Sequence, residues 1–192
     1  PIDFGNDVLL LRIDTLGGQV TRAELLGQKD LEAPDKNVVL LEDKPGSQYV
    51  AQQGWVGAPA GGAGFPTHRT PFTPGEVAKT ANGDVSLTLT ADTGGLKVVR
   101  TYTLKKGEYV VDVKDTVTNT GAAPVRPTLY AQLTRDGNKP PGESKFYSTY
   151  TGPAIYTDKA KFHKVDFADI EKGKATYEKS ADDGWLGIIQ HY

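Results

Sequence analysis

The chain has 192 residues, enough for one domain with a hydrophobic core. Its 22 Lys and Arg residues against 24 Asp and Glu residues give a net charge of −2, which disfavours binding to a nucleic-acid phosphate backbone. Cysteine is absent; this excludes disulfides, thiol nucleophiles and cysteine-ligated metals, and it fits a bacterial export compartment.

Methionine is also absent, even at position 1, so we expect the chain to begin inside a longer gene product. No signal-peptide pattern is present, and the longest apolar runs are about four residues, whereas a helix that spans a bilayer needs about 20. Any membrane segment is therefore expected outside this sequence.

The first elements predicted along the chain form a β-hairpin. Residues 8–14 and 19–26 alternate between apolar and polar side chains on either side of a Gly-containing turn, a pattern typical of two paired strands. Residues 28–37 are polar and predict a loop. Residues 38–41 and 49–52 predict two further short strands.

Residues 53–83 are rich in glycine and proline and predict a long loop without a regular ladder. Its large apolar side chains are Trp55, Phe65 and Phe72. One interpretation is that they fix the loop onto the sheets. The other is that one of them caps a ligand groove.

The most regular stretch runs from residue 84 to residue 133 and alternates with a period of two. Short turns that contain glycine interrupt it near residues 94, 107 and 121. We interpret it as an antiparallel meander of four long strands, with residues 125–133 as the fourth. Strands of this length favour a broad sheet over a small barrel.

The last third of the chain is less regular. Residues 134–144 predict a polar connection, 145–150 and 153–156 two short strands, and 159–170 a strand followed by one helical turn. Two further strands are predicted at 175–179 and 184–192, and the last of these is expected to be buried. The whole pattern predicts an all-β fold, a large antiparallel β-sandwich with one or two short helical turns.

Motifs that carry chemistry are scarce. None of His68, His163 and His191 has a second ligand at metal-binding spacing, and no phosphate loop, nucleophile elbow or HExxH pattern occurs. Asp182 and Asp183 precede a glycine and indicate a turn more readily than a calcium site. Folding could still bring two of the carboxylates together as an acid–base pair.

Several polar side chains remain as candidates for binding. Arg100 and Arg126 fall inside strand patterns, where an arginine either lines a concave face and holds an anion or points into solvent. Six lysines form a loose basic cluster that is either solvated or contacts an acidic partner or anionic lipid headgroups: Lys159, Lys161, Lys164, Lys172, Lys174 and Lys179. The candidate partner or groove residues are Arg126, Tyr130, Arg135, Tyr150, Lys161 and Lys164.

Four stretches, in order, resemble the large periplasmic domain of the YidC family of membrane-protein insertases. They are LLLRIDTLGGQVTRAELL, VVLLEDKPGSQYVAQQGWVG, RTYTLKKGEYVVDVKDTVTNTG and the terminal GWLGIIQHY. The resemblance runs nearly end to end. It weakens in residues 56–83 and 135–180, where only fragments such as FYSTYTGPAIYTDKAKF match.

The resemblance implies a β-super-sandwich like that of galactose mutarotase, formed by residues 1–192 as a single periplasmic domain cut from a longer inner-membrane protein. It implies a non-catalytic role, without cofactor or metal, in assisting the insertion and folding of inner-membrane proteins. The implied partners are accessory subunits of the Sec translocon and, through the parent protein, nascent membrane proteins. The partner surface is expected at an exposed strand edge or within residues 124–170.

Two other functions stay open. A carbohydrate-binding or mutarotase-like domain requires a concave sheet face with stacked Trp or Tyr and a paired carboxylate, although shared fold does not carry function. A chaperone groove that cradles substrates requires an exposed apolar patch of several hundred Å².

Overall fold

A computed structural model describes residues 1–139 and 149–190. These residues form thirteen β-strands and one short helix. In chain order the elements are β1 (Ile2–Gly5), β2 (Leu9–Asp14), β3 (Gln19–Lys29), β4 (Asn37–Lys44), β5 (Ser47–Val56), β6 (Thr73–Lys79), β7 (Val85–Thr93), β8 (Leu96–Leu104), β9 (Val111–Asn119), β10 (Thr128–Arg135), β11 (Gly152–Thr157), β12 (Lys161–Lys164), α1 (Phe167–Glu171) and β13 (Trp185–Ile189). The all-β prediction with a short helical turn is confirmed.

The chain divides into two compact units, residues 1–134 and residues 135–192. The first unit contains a six-stranded sheet in the order β1-β2-β3-β4-β5-β10 and a four-stranded sheet in the order β6-β7-β8-β9. Neighbours run antiparallel from β1 to β5 and from β6 to β9. The predicted opening hairpin is confirmed as β2 and β3.

Alternation along the strands places one apolar face of each sheet in a shared core. The six-stranded sheet contributes Leu11 and Ile13, and the four-stranded sheet contributes Leu87, Leu89 and Val98, all of them essentially inaccessible to solvent. Side chains two residues apart lie on the same side of a strand, so the period of two in the sequence is what builds this core.

The predicted four-stranded meander is wrong in its last strand. Residues 128–135 form β10, which lies beside β5 in the six-stranded sheet, and the fourth strand of the other sheet is β6. Pro124 and Pro127 lie in the connection after β9. Proline has no N–H to donate to a ladder. The two prolines therefore disfavour pairing of this connection with β9 as a further strand.

The stretch 53–83 is only partly a loop. Residues 53–56 belong to β5, and residues 73–79 form β6 despite Pro74 and Gly75. An edge strand tolerates a proline, and the register of β6 against β7 shifts between Pro74 and Val77. Within the loop, Phe65 and Phe72 are buried in the core and Trp55 packs partly buried against it, so these aromatic side chains fix the loop onto the sheets.

The second unit contains a three-stranded antiparallel sheet in the order β12-β11-β13, together with α1. The strand at 153–156, and the strand and helical turn within 159–170, are confirmed. The strand predicted at 175–179 is wrong, because those residues are irregular. Of the strand predicted at 145–150, residues 145–148 lie outside the described residues, and residues 149 and 150 are not in a strand.

A buried ion pair joins the four-stranded sheet to the opening hairpin. Arg100 Nε and Nη2 donate to the two carboxylate oxygens of Asp115 at 2.8 and 2.9 Å, and its Nη1 donates to the Gly17 carbonyl at 3.0 Å. The two charged side chains are 0% and 4% exposed. The expectation that Arg100 holds an anion in a groove or points into solvent is therefore corrected, since its donors are used inside the core.

Neighbouring groups complete this network. Trp55 Nε1 donates to Asp115 at 2.9 Å, and the Arg100 guanidinium lies 5.1 Å from the centre of the Phe72 ring. Tyr102 donates to the Gly18 carbonyl. Burial alone would lower the pKa of Arg100, but hydrogen bonding and charge interaction with Asp115 and Tyr102 together outweigh it, and the net shift is upward. Burial raises the pKa of Tyr102.

No helix among residues 1–139 and 149–190 has the length and apolar character needed to cross a membrane.

Removing Asp115 should destabilise the first unit strongly. Asp115→Ala leaves the Arg100 guanidinium buried without its counter-charge, and we expect the free energy of unfolding to fall by about 3–5 kcal/mol. Urea denaturation followed by circular dichroism measures this change. Asp3→Ala is the matched control because Asp3 accepts the same two-point contact from Arg12, at 2.7 and 2.8 Å, with side chains 46% and 47% exposed. The control should cost less than about 1 kcal/mol; equal losses would contradict a special role for the buried pair.

A second prediction concerns acid sensitivity at β3. Glu24 accepts hydrogen bonds from Asn37 at 2.8 Å and from Arg22 at 2.9 Å, and these hold the pKa of Glu24 below its ordinary value. Stability from a lowered carboxyl pKa is present above the ordinary value and is lost as pH falls through the folded-state value. Thermal denaturation of Glu24→Gln and the parent chain should therefore differ at neutral pH and converge towards about pH 3. A difference that stays constant with pH would contradict this.

Candidate functional site

The six residues predicted to bind a partner or line a groove divide between the two units. Arg126 and Tyr130 lie in the first unit, and the other four lie in the second. Tyr130, Arg135 and Tyr150 have their polar atoms engaged inside the protein. Arg126, Lys161 and Lys164 are exposed.

Tyr130 forms a contact that holds the loop 66–70 against β10. Its hydroxyl accepts a hydrogen bond from the His68 backbone N–H at 3.1 Å and lies 2.5 Å from His68 Nδ1. A Cβ atom at Gly54 would lie 2.6 Å from the Tyr130 oxygen, so a glycine is needed where this hydroxyl approaches β5. The arrangement explains both Tyr130 and His68 as structural residues.

Arg135 is half-buried and stabilises its own surroundings in the second unit. Its guanidinium donates to Gln190 Oε1 at 2.9 Å and to the carbonyls of Asp136 and Asn138 at 2.9 and 3.0 Å. It also lies 5.4 Å from the centre of the Phe167 ring. These contacts occupy the guanidinium N–H donors with which an arginine would bind an external anion.

Tyr150 ties the segment before β11 to the segment after β12. Its hydroxyl lies 2.6 Å from the Pro153 carbonyl and 2.8 Å from the Val165 carbonyl, and it accepts from the Val165 N–H at 3.0 Å. Burial raises the pKa of this hydroxyl. The outer face of its ring is covered by Lys164, whose ammonium lies 4.7 Å from the ring centre.

The sequence pattern suggested that Arg126 lies inside a strand. In the structure it lies exposed in the connection between β9 and β10. The six lysines of the basic cluster are also exposed. Lys159 pairs with Glu178 at 2.9 Å. Lys161 and Lys164, both on β12, form no ion pair among the described residues.

The remaining polar candidates form no metal-binding group. His163 Nε2 lies 2.9 Å from the Thr176 carbonyl, and His191 lies outside the described residues. Asp182 and Asp183 lie in a bend before β13. Within residues 1–139 and 149–190, no three His, Asp or Glu side chains are arranged to hold a metal ion.

An exposed row of aromatic side chains crosses the three-stranded sheet. Tyr156 on β11 pairs with Phe162 on β12 and with Trp185 on β13. The ring centres of Tyr156 and Trp185 lie 6.1 Å apart with planes inclined by 12°, and those of Phe162 and Trp185 also lie 6.1 Å apart. We call Phe162, Tyr156 and Trp185 the aromatic row.

The prediction that the last strand is buried is wrong at this row. Trp185 is 52% exposed and Phe162 is 50% exposed. Trp185, Leu186 and Ile189 of this apolar strand are all exposed, so hydrophobic composition alone did not predict its burial correctly. The row could not be read from the sequence, because alternation within a strand does not report which residues lie opposite each other on neighbouring strands.

The open edge of the four-stranded sheet is a second unusual surface. β9 pairs with β8 over nine consecutive residue pairs without a register shift, and no other described strand pairs with β9. Beyond the strand, the Thr120 N–H donates to the Gly95 carbonyl at 2.9 Å. Because bonded and non-bonded pairs alternate in an antiparallel ladder, Val111, Val113, Asp115 and Val117 direct their N–H and C=O groups away from β8.

The chain is similar to a known protein family over its whole length. A family model described as the YidC periplasmic domain matches residues 1–192, the whole chain.

Relatives that carry the name Membrane protein insertase YidC are about half identical to the chain. The protein from Bordetella pertussis is 51% identical over 187 residues, which are 97% of this chain and 33% of the relative. The proteins from Cupriavidus necator and Ralstonia nicotianae are 48% and 47% identical, each over 97% of this chain and 32% of the relative. The chain thus spans about a third of the length of the relatives it matches.

Proposed function

Because the chain belongs to the family of YidC periplasmic domains, we propose that it is the non-catalytic docking domain of an inner-membrane protein insertase. In this proposal the domain acts in the periplasm and assists the insertion and folding of membrane proteins by binding accessory subunits of the Sec translocon. The name shared by the relatives supports the link to insertion. The observation that supports docking is the open edge of β9.

An unblunted strand edge is a site where an extended segment of another protein can add a strand. Main-chain hydrogen bonds to such an edge give affinity, and side-chain contacts beside it give specificity. β9 offers four residues whose main-chain groups point away from β8, and it contains no proline and no bulge. Exposed Tyr109 and Val110 lie just before the strand and provide apolar contact area.

The opposite edge of the same sheet is protected. β6 contains Pro74, and its register shifts between Pro74 and Val77, two features that block strand addition. The sheet therefore presents one receptive edge, and we place the partner there. Arg126, exposed in the connection after β9, is proposed as a charged contact at the rim of this site.

A docking role also fits the state of the other candidate residues. The polar atoms of Tyr130, Arg135 and Tyr150 bind neighbouring parts of the chain. We propose that each of these residues holds the local structure of its own unit rather than contacts the partner directly.

The β9 edge can be tested by removing one outward N–H without touching the ladder. Val113→Pro deletes an N–H that points away from β8, while Val113→Thr keeps it in a β-branched side chain of similar size. Each purified chain is immobilised and exposed to solubilised Gram-negative inner membrane, and Sec subunits are quantified by mass spectrometry. We expect Val113→Pro to recover about tenfold less Sec accessory subunit than the parent, and Val113→Thr to recover a similar amount.

Circular dichroism and thermal denaturation check that both variants are folded. Equal recovery by folded Val113→Pro and the parent would remove the β9 edge from the proposal. Failure of the parent chain to recover any Sec accessory subunit, together with saturable binding to a sugar array, would replace the docking function by the carbohydrate alternative.

A further inference from the structure

The side chains of the aromatic row are larger than those of the neighbouring row on the same side of the sheet. Along that side the next row towards the Tyr150 end consists of Lys164, Ala154 and Gly187. Ala154 is fully buried, whereas Gly187 has no side chain and a Cβ there would meet no atom within 4 Å, so the flank of Trp185 is open on this side. Phe162 and Trp185 accordingly expose about half of their surface.

Further apolar surface lies on β13. Ile189, on the same side of the strand as Trp185, is 38% exposed, and Leu186, on the opposite side, is 66% exposed. Burying large apolar and aromatic side chains is a main source of folding free energy. Exposed Trp185 and Ile189 on one side of a short strand therefore indicate a surface that binds something apolar.

The charges of this sheet are all positive. Its three strands contain no Asp or Glu, and their charged side chains are Lys161 and Lys164, with His163 between them. The nearby carboxylates, Asp158, Asp166, Asp182 and Asp183, belong to the connecting segments. Of these, Asp158 accepts a hydrogen bond from the Tyr156 hydroxyl at 3.5 Å. The charges on the strands themselves, at Lys161 and Lys164, favour a partner that combines apolar groups with negative charge.

Lys161 has an unusual backbone conformation beside the row. Its φ of 57° makes it the sole non-glycine residue with positive φ in the described part of the chain, a conformation that is unfavourable for a residue with a Cβ. Its ammonium lies 6.0 Å from the centre of the Tyr156 ring. This places a cation next to the aromatic row, and the cation forms no ion pair with any described residue.

We propose that the aromatic row, together with Lys161 and Lys164, is a membrane-contact surface that inserts into the headgroup region of a bilayer containing anionic phospholipid. Trp and Tyr concentrate at the membrane–water interface because their rings are apolar and carry one polar group. Lysines near the surface of an anionic leaflet add electrostatic attraction. The inference rests on the proposed function in one respect: a domain of a membrane insertase has a bilayer within reach.

The packing of the rings is more restrictive for a sugar than for a bilayer. A sugar stacks on the open face of an aromatic ring, and the nearly parallel rings of Tyr156 and Trp185 turn one face each towards the other, with centres 6.1 Å apart. Insertion between headgroups does not require an open ring face.

The chain carries its own reporter for this proposal. It has two tryptophans, Trp55 and Trp185, so Trp55→Phe leaves Trp185 as the single tryptophan. Because Trp55 donates to the buried carboxylate of Asp115, circular dichroism first checks that this variant is folded. This chain is titrated with vesicles of phosphatidylglycerol and phosphatidylethanolamine, and then with vesicles that contain brominated lipid. We expect the Trp185 emission to shift to shorter wavelength and to be quenched by brominated lipid, with weaker binding to vesicles of phosphatidylcholine alone.

Variants distinguish vesicle binding by the aromatic row from non-specific binding by other exposed apolar side chains. In the same background, Phe162→Ser should weaken the apparent vesicle affinity by about tenfold, and the double variant Lys161→Glu, Lys164→Glu should abolish the preference for phosphatidylglycerol. Ile170→Ser is the matched control, because Ile170 is 46% exposed on α1 and lies outside the row. It should bind vesicles like the parent.

Unchanged Trp185 emission with vesicles would overturn the proposal, as would an equal loss of affinity in Ile170→Ser and Phe162→Ser. A saturable spectral shift with soluble sugars or with an unfolded peptide, but not with vesicles, would assign the row to that ligand class instead. Sec recovery by Val113→Pro is measured separately, so failure of the docking function and failure of membrane contact give different results.

Discussion

The ion pair between Arg100 and Asp115 is the constraint on which the first unit depends. One guanidinium contacts a carboxylate on β9, a carbonyl in the turn between β2 and β3, and the ring of Phe72 in the long loop. The same carboxylate accepts from Trp55 on β5. A buried charge is costly unless each of its donors is satisfied, so these elements can occupy only positions that satisfy all of them together. The network thereby holds β9 in place while its outer edge stays open.

The two proposed binding surfaces differ in the groups that they offer to a ligand. At the β9 edge the outward main-chain groups are available, while Val111 and Val117 pack against the core. At the aromatic row the side chains are available, and Tyr156 lies on the central strand, whose main chain pairs with a neighbour on both sides. A protein segment recognises the first type of surface and a lipid interface the second, so one small domain can hold a partner and a membrane at separate places.

The sequence predicted the strands better than it predicted their neighbours. The alternation at residues 84–119 correctly indicated β7, β8 and β9, because a period of two reports directly which side chains share a face. The assignment of β10 to the same sheet was wrong, because alternation carries no information about the partner of a strand. Arg100 shows the same limit at a single residue. From the sequence Arg100 was expected to hold an anion on a concave face or to point into solvent, and Asp115 could be identified as its buried partner only from the register of β8 and β9.

The bond between Arg100 and the Gly17 carbonyl joins residues 83 positions apart, and this separation has a consequence for the folding pathway. The hairpins from β7 to β9 close over short turns and can form early, whereas the contact with Gly17 must wait until a long segment of chain has been ordered. The outer edge of β9 is open at this stage, as it is in the folded chain, and β10, the next strand along the chain, is the local segment that could pair with it. We expect the prolines at 124 and 127 to disfavour a local hairpin between β9 and β10 at this stage. β10 then remains available until β5 is in position to pair with it.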